Sequence, residues 1–314
     1  MNLDIPSSEE SLNRIKQYIN RTPLSYSERL SKECESNIYL KLENLQKTGS
    51  FKVRGALNKV INIKSDMPVV AASSGNHGAA VSYALNKKNN KGKIYVPISV
   101  KKLKADNIRS YGSEVIKFGD DCLDAENEAI RVSRENNYTF ISPYNDKEVI
   151  SGQGTIGVEI LEENDKIDVV FITVGGGGLI SGIANYLKSK NPDIKVIGCS
   201  PENSSIMINS IKHGKIINTQ SKETLSDGSA GGVEEGSITF DLCRNLIDDY
   251  CLVSEEDIAK QIRDSLNYDK IVIEGSAAVA IASLLKMKKE FKDRNIAVII
   301  CGGNIGSETI KSIL

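Results

Sequence analysis

Apolar residues recur along the chain in two rhythms. Short runs such as Val169–Val174 and Ala297–Cys301 are apolar at nearly every position, and between such runs lie helix-length stretches with apolar residues every three or four positions. A run apolar throughout marks a strand covered on both faces, and strands alternating with amphipathic helices build a largely parallel sheet. The pattern predicts strands at Asn37–Leu42, Val69–Ala72, Lys93–Ile98, Glu114–Phe118, Thr139–Ser142, Val169–Val174, Val196–Ser200 and Ala297–Cys301. It predicts helices over Ser50–Ile63, from about Asn76, over Lys104–Tyr111 and along Glu148–Glu163. The fold class is α/β, with open, mostly parallel, twisted sheets covered by helices.

Three strands end in the same way. Val70-Ala71-Ala72 runs into Ser73-Ser74-Gly75-Asn76-His77-Gly78, Val170–Val174 into Gly175-Gly176-Gly177-Gly178, and Val298–Cys301 into Gly302-Gly303-Asn304. In open α/β sheets ligands bind beyond the carboxyl ends of the strands, so these glycine-rich turns are candidates to line one crevice. At 314 residues the chain has room for about two domains. Pro143-Tyr144-Asn145-Asp146 interrupts the rhythm and places a boundary within 143–152.

Composition narrows the function. Lys+Arg of 40 against Asp+Glu of 41 leaves a net charge of −1, which excludes the clustered basic excess that nucleic acid or an anionic membrane surface requires. The first ten residues have neither a basic nor an apolar region, so no targeting segment is expected. The six cysteines include no Cys-x-x-Cys pair and several sit in apolar stretches, the pattern of reduced thiols in a cytoplasmic protein. His77 and His213 are the only histidines, too few for a zinc site or a Ser–His–Asp triad.

Gly175–Gly178 follows a strand and precedes an apolar helix. It reads either as a tight turn or as a cradle whose amides, at the positive end of the helix, hold a phosphate. Gly152-x-Gly154-x-x-Gly157 matches a dinucleotide fingerprint but lies inside a helical run with no strand feeding it, and reads as close helix packing. In Lys47-Thr48-Gly49-Ser50-Phe51-Lys52-Val53-Arg54-Gly55-Ala56, Ser50 reads as a helix N-cap, which puts Lys52 in the first turn. Lys52 is either a solvated surface lysine or, desolvated and at the positive end of a helix, a Schiff-base lysine. A Schiff-base lysine together with a phosphate cradle points to pyridoxal 5′-phosphate.

With those motifs in order, from Arg21-Thr22-Pro23-Leu24 to Gly303-Asn304, the chain resembles the fold type II pyridoxal-phosphate enzymes, in the serine/threonine dehydratase and serine racemase branch. The resemblance implies the tryptophan synthase β-like fold, with the active site in a crevice between a large cofactor domain (1–48 plus 147–314) and a small domain (49–146). It implies that Lys52 forms the internal aldimine and moves the Cα proton. Phe51 and Asn76 would flank the cofactor ring, with Asn76 near the phenolic oxygen and Glu274 near the ring. Gly175, Gly176, Gly177 and Gly178 would hold the phosphate, and Cys301 would stand beside the pyridine nitrogen. Ser73, Ser74, Gly75, Asn76 and His77 would bind the substrate carboxylate, and Ser74 would be the opposite-face acid/base of a racemase. A homodimer is also implied.

The implied reaction is elimination of water from a β-hydroxy amino acid such as L-threonine or L-serine, giving a 2-keto acid and ammonia. Serine-type racemisation and 3-hydroxyaspartate dehydration are the alternatives, and a non-catalytic amino-acid sensor is the reading from another class. Pro143-Tyr144-Asn145-Asp146 favours the dehydratase. Ser200 stands where metal-binding members carry an acidic residue, so no metal ligand set is expected. Asp227, in Ser226-Asp227-Gly228, reads as a turn residue, a relic of a metal site or a substrate-side group. With Leu314 soon after Asn304, no C-terminal regulatory domain is expected.

Overall fold

The computed structural model describes residues 4–64, 67–217 and 219–314. In chain order the strands are β1 (Leu24–Tyr26), β2 (Asn37–Leu42), β3 (Val69–Ala72), β4 (Gly92–Val96), β5 (Glu114–Lys117), β6 (Thr139–Phe140), β7 (Val169–Thr173), β8 (Lys195–Pro201), β9 (Asp249–Val253) and β10 (Asn295–Ile300). The helices are α1 (Ser8–Ile15), α2 (Glu28–Cys34), α3 (Lys52–Asn62), α4 (Asn76–Lys88), α5 (Lys102–Ser110), α6 (Cys122–Asn136) and α7 (Lys147–Glu163). They continue as α8 (Gly178–Lys190), α9 (Ile206–His213), α10 (Ile238–Leu246), α11 (Glu255–Asp264), α12 (Gly275–Met287) and α13 (Ser307–Ile313).

The strands form two sheets. One has the order β1-β2-β10-β7-β8-β9, parallel except for β1, which runs antiparallel to β2. The other is wholly parallel, with the order β5-β4-β3-β6. Every residue of β7 is buried, as expected of a central strand with helices on both faces. Each sheet has its own apolar core. Phe171, Val298 and Ile183 belong to the larger one, and Ile94, Val81 and Leu57 to the smaller. Helix α7 packs against both α3 and α8 and so spans the seam between the sheets.

The predicted elements form with ends displaced by one or two residues, but two points need correction. First, β1 and β9 were not predicted. Both are edge strands, and only Cys251 and Val253 of β9 are buried, so neither shows an apolar run. Second, Ser50 is not the N-cap of α3. Phe51 takes that position in helical geometry without a side-chain bond, while Ser50 bridges to Gly302 and its hydroxyl has no partner among the described residues.

The glycines of the false fingerprint do serve packing. A Cβ at Gly152 would lie 2.7 Å from the Arg54 carbonyl, and one at Gly154 would lie 2.9 Å from the Gly182 carbonyl. The six cysteines are free thiols, with only Cys122 exposed.

Candidate active site

The carboxyl ends of β3, β7 and β10 and the start of α3 converge on one crevice. It is lined by Phe51, Lys52, Asn76, Tyr144, Thr173, Gly175–Gly178, Leu179, Gly228, Ser229, Glu274, Ser276 and Cys301. The structure thus brings together Phe51, Lys52, Asn76, Gly175, Gly176, Gly177, Gly178, Glu274 and Cys301 from distant parts of the chain. Ser73, Ser74 and Gly75 form the turn between β3 and α4 at the same end of the small sheet but are not part of this lining. His77 sits behind that turn, buried, with Nε2 2.9 Å from the Ile141 carbonyl. That side chain is occupied with the interior.

Lys52 opens α3, and its ammonium points into the crevice, where Nζ donates to the Pro143 carbonyl at 2.9 Å. The Phe51 ring centroid lies 5.2 Å from the same nitrogen. Burial pushes the Lys52 pKa down to about 8, and Cys301 and Glu274 only partly oppose this. His77 is held neutral. Burial, then the Lys52 charge, lowers it to about 3, against the pull of the Ile141 carbonyl. Its Nε2 therefore carries the proton, because a carbonyl can only accept.

Gly177 has φ +86° and is the N-cap of α8. The left-handed backbone there costs a glycine nothing. The neighbouring glycines are required by close approach. A Cβ at Gly176 would lie 2.4 Å from the Tyr144 ring, and one at Gly175 would lie 2.7 Å from the Ser229 carbonyl. Among the described residues, no acceptor takes the backbone N–H of Gly175, Gly176 or Gly177. These donors, together with the free first-turn N–H groups of α8, are the arrangement that holds an anion.

At the end of β10, Cys301 is buried, and burial followed by the nearby Glu274 holds its thiol well above the ordinary value. It stays protonated and neutral. Glu274 is the N-cap of α12 and is also buried. Burial raises its carboxyl to about 7, and hydrogen bonds from Asn76 and the Asn304 backbone keep it from going higher.

Sequence reasoning assigned no role to Tyr144, Ser229, Ser276 or Asn304. Tyr144 packs against the glycine turn, and its hydroxyl accepts from the Glu234 N–H at 3.2 Å. Its loop had been singled out, but only the fold brings its ring to Gly176. Ser276 belongs to the Glu274-Gly275-Ser276 element and accepts from Ser226 at 3.1 Å. Asp227 is exposed, pairs with Lys104 at 3.2 Å and is not among the lining residues. Among the described residues no group of His, Cys, Asp and Glu could hold a metal ion, and no helix is long and apolar enough to cross a membrane.

Comparison with known proteins matches residues 15–302 to the model of the pyridoxal-phosphate dependent enzyme family. A protein of Thermotoga maritima described as L-threonine ammonia-lyase is 40% identical over 98% of this chain and 77% of its own length. The fold superposes on maize serine racemase with a TM-score of 0.92 and 32% identity, covering 98% of this chain and 96% of that one. The processed form of threonine deaminase isoform 2 from Solanum lycopersicum gives a TM-score of 0.91 at 33% identity, over 98% and 92%.

Proposed function

The chain belongs to the pyridoxal-phosphate dependent enzymes, and within that family we propose that it is an ammonia-lyase acting on a β-hydroxy amino acid such as L-threonine or L-serine. One observation carries the reading. Among the described residues, a lysine amine without a carboxylate partner faces, across one crevice, a glycine turn whose N–H groups are uncommitted. The residues present fit pyridoxal phosphate: an amine to hold its aldehyde, a donor cradle for its phosphate, and a neutral thiol where a ring nitrogen needs a partner but not a charge.

Gly175–Gly178 hold the phosphate through main-chain N–H groups and the positive end of α8. Phe51 closes one side of the ring pocket, and Asn76 offers an amide to the phenolic oxygen. Cys301, as a neutral thiol, would face the ring nitrogen without giving it a charge partner. When bound, the cofactor supplies the electron sink that makes the substrate's Cα–H acidic. Ser74, Asn76 and His77, in the turn into α4, would receive the substrate carboxylate on main-chain N–H groups, since the N–H of Ser73 is already donated to the Tyr95 carbonyl and that of Gly75 to the Ser73 hydroxyl. Lys52, neutral above about pH 8, would take the Cα proton and return a proton to the departing β-hydroxyl, which leaves as water. The released amino-enoate takes up water again and yields the 2-keto acid and ammonia.

We assign residues 1–48 plus 147–314 to a large domain carrying the cofactor and 49–146 to a small one. The separate sheets support that division, and the apolar cores follow it except that Ile15, Ile19 and Val149 pack into the core of the smaller sheet.

The test is a keto-acid assay of the purified protein supplied with pyridoxal phosphate. L-serine, L-threonine, L-threo-3-hydroxyaspartate and D-serine are offered separately, with and without EDTA. Keto acid from L-threonine or L-serine is expected, unchanged by EDTA. A cofactor absorbance band without keto acid, and with inversion at Cα by chiral analysis, would replace elimination by racemisation, for which Ser74 is the candidate second proton carrier.

A further inference from the structure

Three polar side chains from separate parts of the chain meet at the edge of the crevice. Asn76 comes from the start of α4, Glu274 from the N-cap of α12, and Asn304 from the turn after β10. Asn304 Nδ2 donates to the Thr48 carbonyl at 2.8 Å and to Asn76 Oδ1 at 2.7 Å. A carbonyl only accepts, so the Asn304 atom facing it must be the nitrogen. The Asn76 atom facing that nitrogen must then be its oxygen, which leaves the Asn76 nitrogen toward Glu274. There Asn76 Nδ2 lies 3.0 and 3.1 Å from the two oxygens of one carboxylate. Near-equal distances to both oxygens describe one N–H shared between them. The second N–H of Asn76 has no partner among the described residues, and Asn76 lines the same crevice as Lys52.

The neighbours leave these groups little room to move. Glu274 Oε2 also accepts from the Asn304 N–H at 3.1 Å. Its carboxylate lies on the Cα of Gly302, where a Cβ would come within 2.7 Å of Cδ. Gly49, at φ +72°, admits the Asn304 amide to a place where a Cβ would lie 2.4 Å from Oδ1. The same turn is stitched to the lysine loop by bonds from Gly303 N to the Gly49 carbonyl at 2.9 Å and from Phe51 N to the Cys301 carbonyl at 3.0 Å.

We propose that Glu274 and Asn304 are positioning residues that fix the Asn76 carboxamide across the crevice, so that its one uncommitted N–H is presented to the phenolic oxygen of the bound cofactor. The inference rests on the cofactor reading of the site. It assigns Glu274 to orienting an amide rather than to proton transfer. A glutamine at 274 would set an NH₂ group against donors from Asn76 or Asn304. Loss of the Asn304 amide would leave Asn76 Oδ1 unpaired and free its χ2 rotation. In either case the phenolic oxygen loses a fixed donor, and the protonated, short-wavelength form of the lysine-bound cofactor gains population.

The experiment compares wild type with Glu274→Gln, Glu274→Asp, Asn304→Ala and Asn76→Ala. The readouts are the dissociation constant of pyridoxal phosphate from the apoprotein and the ratio of long- to short-wavelength cofactor bands between pH 6 and 9, with circular dichroism to verify folding. Glu274→Gln and Asn304→Ala are expected to shift the band ratio in the same direction as Asn76→Ala and to weaken cofactor binding by about tenfold or more, the worth of one hydrogen bond to a charged group. Glu274→Asp, which keeps the charge, restores part of the shift. The proposal is overturned if both variants fold and stay within about twofold of wild type in both readouts while Asn76→Ala moves them. It is also overturned if Asn76→Ala moves neither. If wild type shows no cofactor band at all, the cofactor reading itself fails, a result distinct from these.

Discussion

Lys52 and Arg54 stand two residues apart on the first turn of α3, and the protein treats their charges in opposite ways. Arg54 is fully buried and fully paired. Its guanidinium reaches Glu43 at 2.7 Å through Nε and Nη2, and Glu159 at 2.7 and 2.8 Å. Burial alone would lower its pKa, and the Glu43 and Glu159 carboxylates more than reverse that. Lys41, also buried, adds a bond to Glu159 at 2.8 Å. Lys52 has no such partner, and burial wins. A cation taken from water is expensive unless it is paired. The paired one serves as a rivet joining α3 to the end of β2 and to α7. The unpaired one is an amine that is easily neutral and therefore nucleophilic.

The strongest break in this contrast is removal of the amine. Lys52→Ala is expected to abolish the cofactor absorbance band and to lower keto-acid formation by at least about 10³-fold, as befits loss of both attachment and proton transfer. The fold should remain, since Lys52 holds nothing but the Pro143 carbonyl. Arg54→Met makes the complementary break. It strands Glu43 as a buried carboxylate, leaves Glu159 with Lys41 alone, and should cost about 3–5 kcal/mol, read as a lower urea midpoint. If Arg54→Met lost activity at unchanged stability, the rivet description would be wrong.

The contrast sharpens with pH. A lysine with a lowered pKa attacks an aldehyde only in its neutral form. The rate of pyridoxal phosphate capture by apoprotein should therefore rise with pH and level off near the Lys52 pKa of about 8, falling about tenfold per unit below it. A rate still rising up to the ordinary lysine range would show that Lys52 is solvated. The same group sets a sign for stability. Its folded pKa lies below the unfolded one, so the unfolded chain binds more protons between about 8 and the ordinary lysine value, and stability rises with pH across that window. The smallest effect belongs to the exposed pair of Lys104 and Asp227. Lys104→Ala, which removes the partner of Asp227, should change stability by no more than about 1 kcal/mol, and less in high salt.

Much of this was legible in the sequence because the signals are local. Strands such as β7 and β10 are apolar because both faces are covered, and four successive glycines after a strand announce close backbone approach. Lys52 stood out through its place at a helix start beside a phosphate-cradle candidate. The Arg54 cluster did not stand out. Glu43 and Glu159 lie 11 and 105 residues from their arginine, and neither has a local pattern that distinguishes it from a surface acid. Tyr144 and Asn304 were hidden for the same reason: each acts on a residue brought near only by the fold. The Ser50 cap failed because the chain there follows the bridge to Gly302, and tertiary pairing overrode a local preference. His77 was expected to face the substrate, but its ring turns to a buried carbonyl.

The pairing of β2 with β10 has a consequence for the order of events during synthesis. Asn37–Leu42 pairs in register with Asn295–Ile300, so the larger sheet has no centre until nearly the whole chain has left the ribosome. The four strands of the smaller sheet lie between Val69 and Phe140 and find one another early. At a typical pace of about 5–20 residues per second, β2 waits for tens of seconds with an open edge while its eventual neighbour is made. Through that interval its other neighbour, the short antiparallel β1, is the only strand available to shield it. A chain that stalls between these two strands presents an unpaired apolar edge, and that nascent species is where chaperone dependence and aggregation should concentrate.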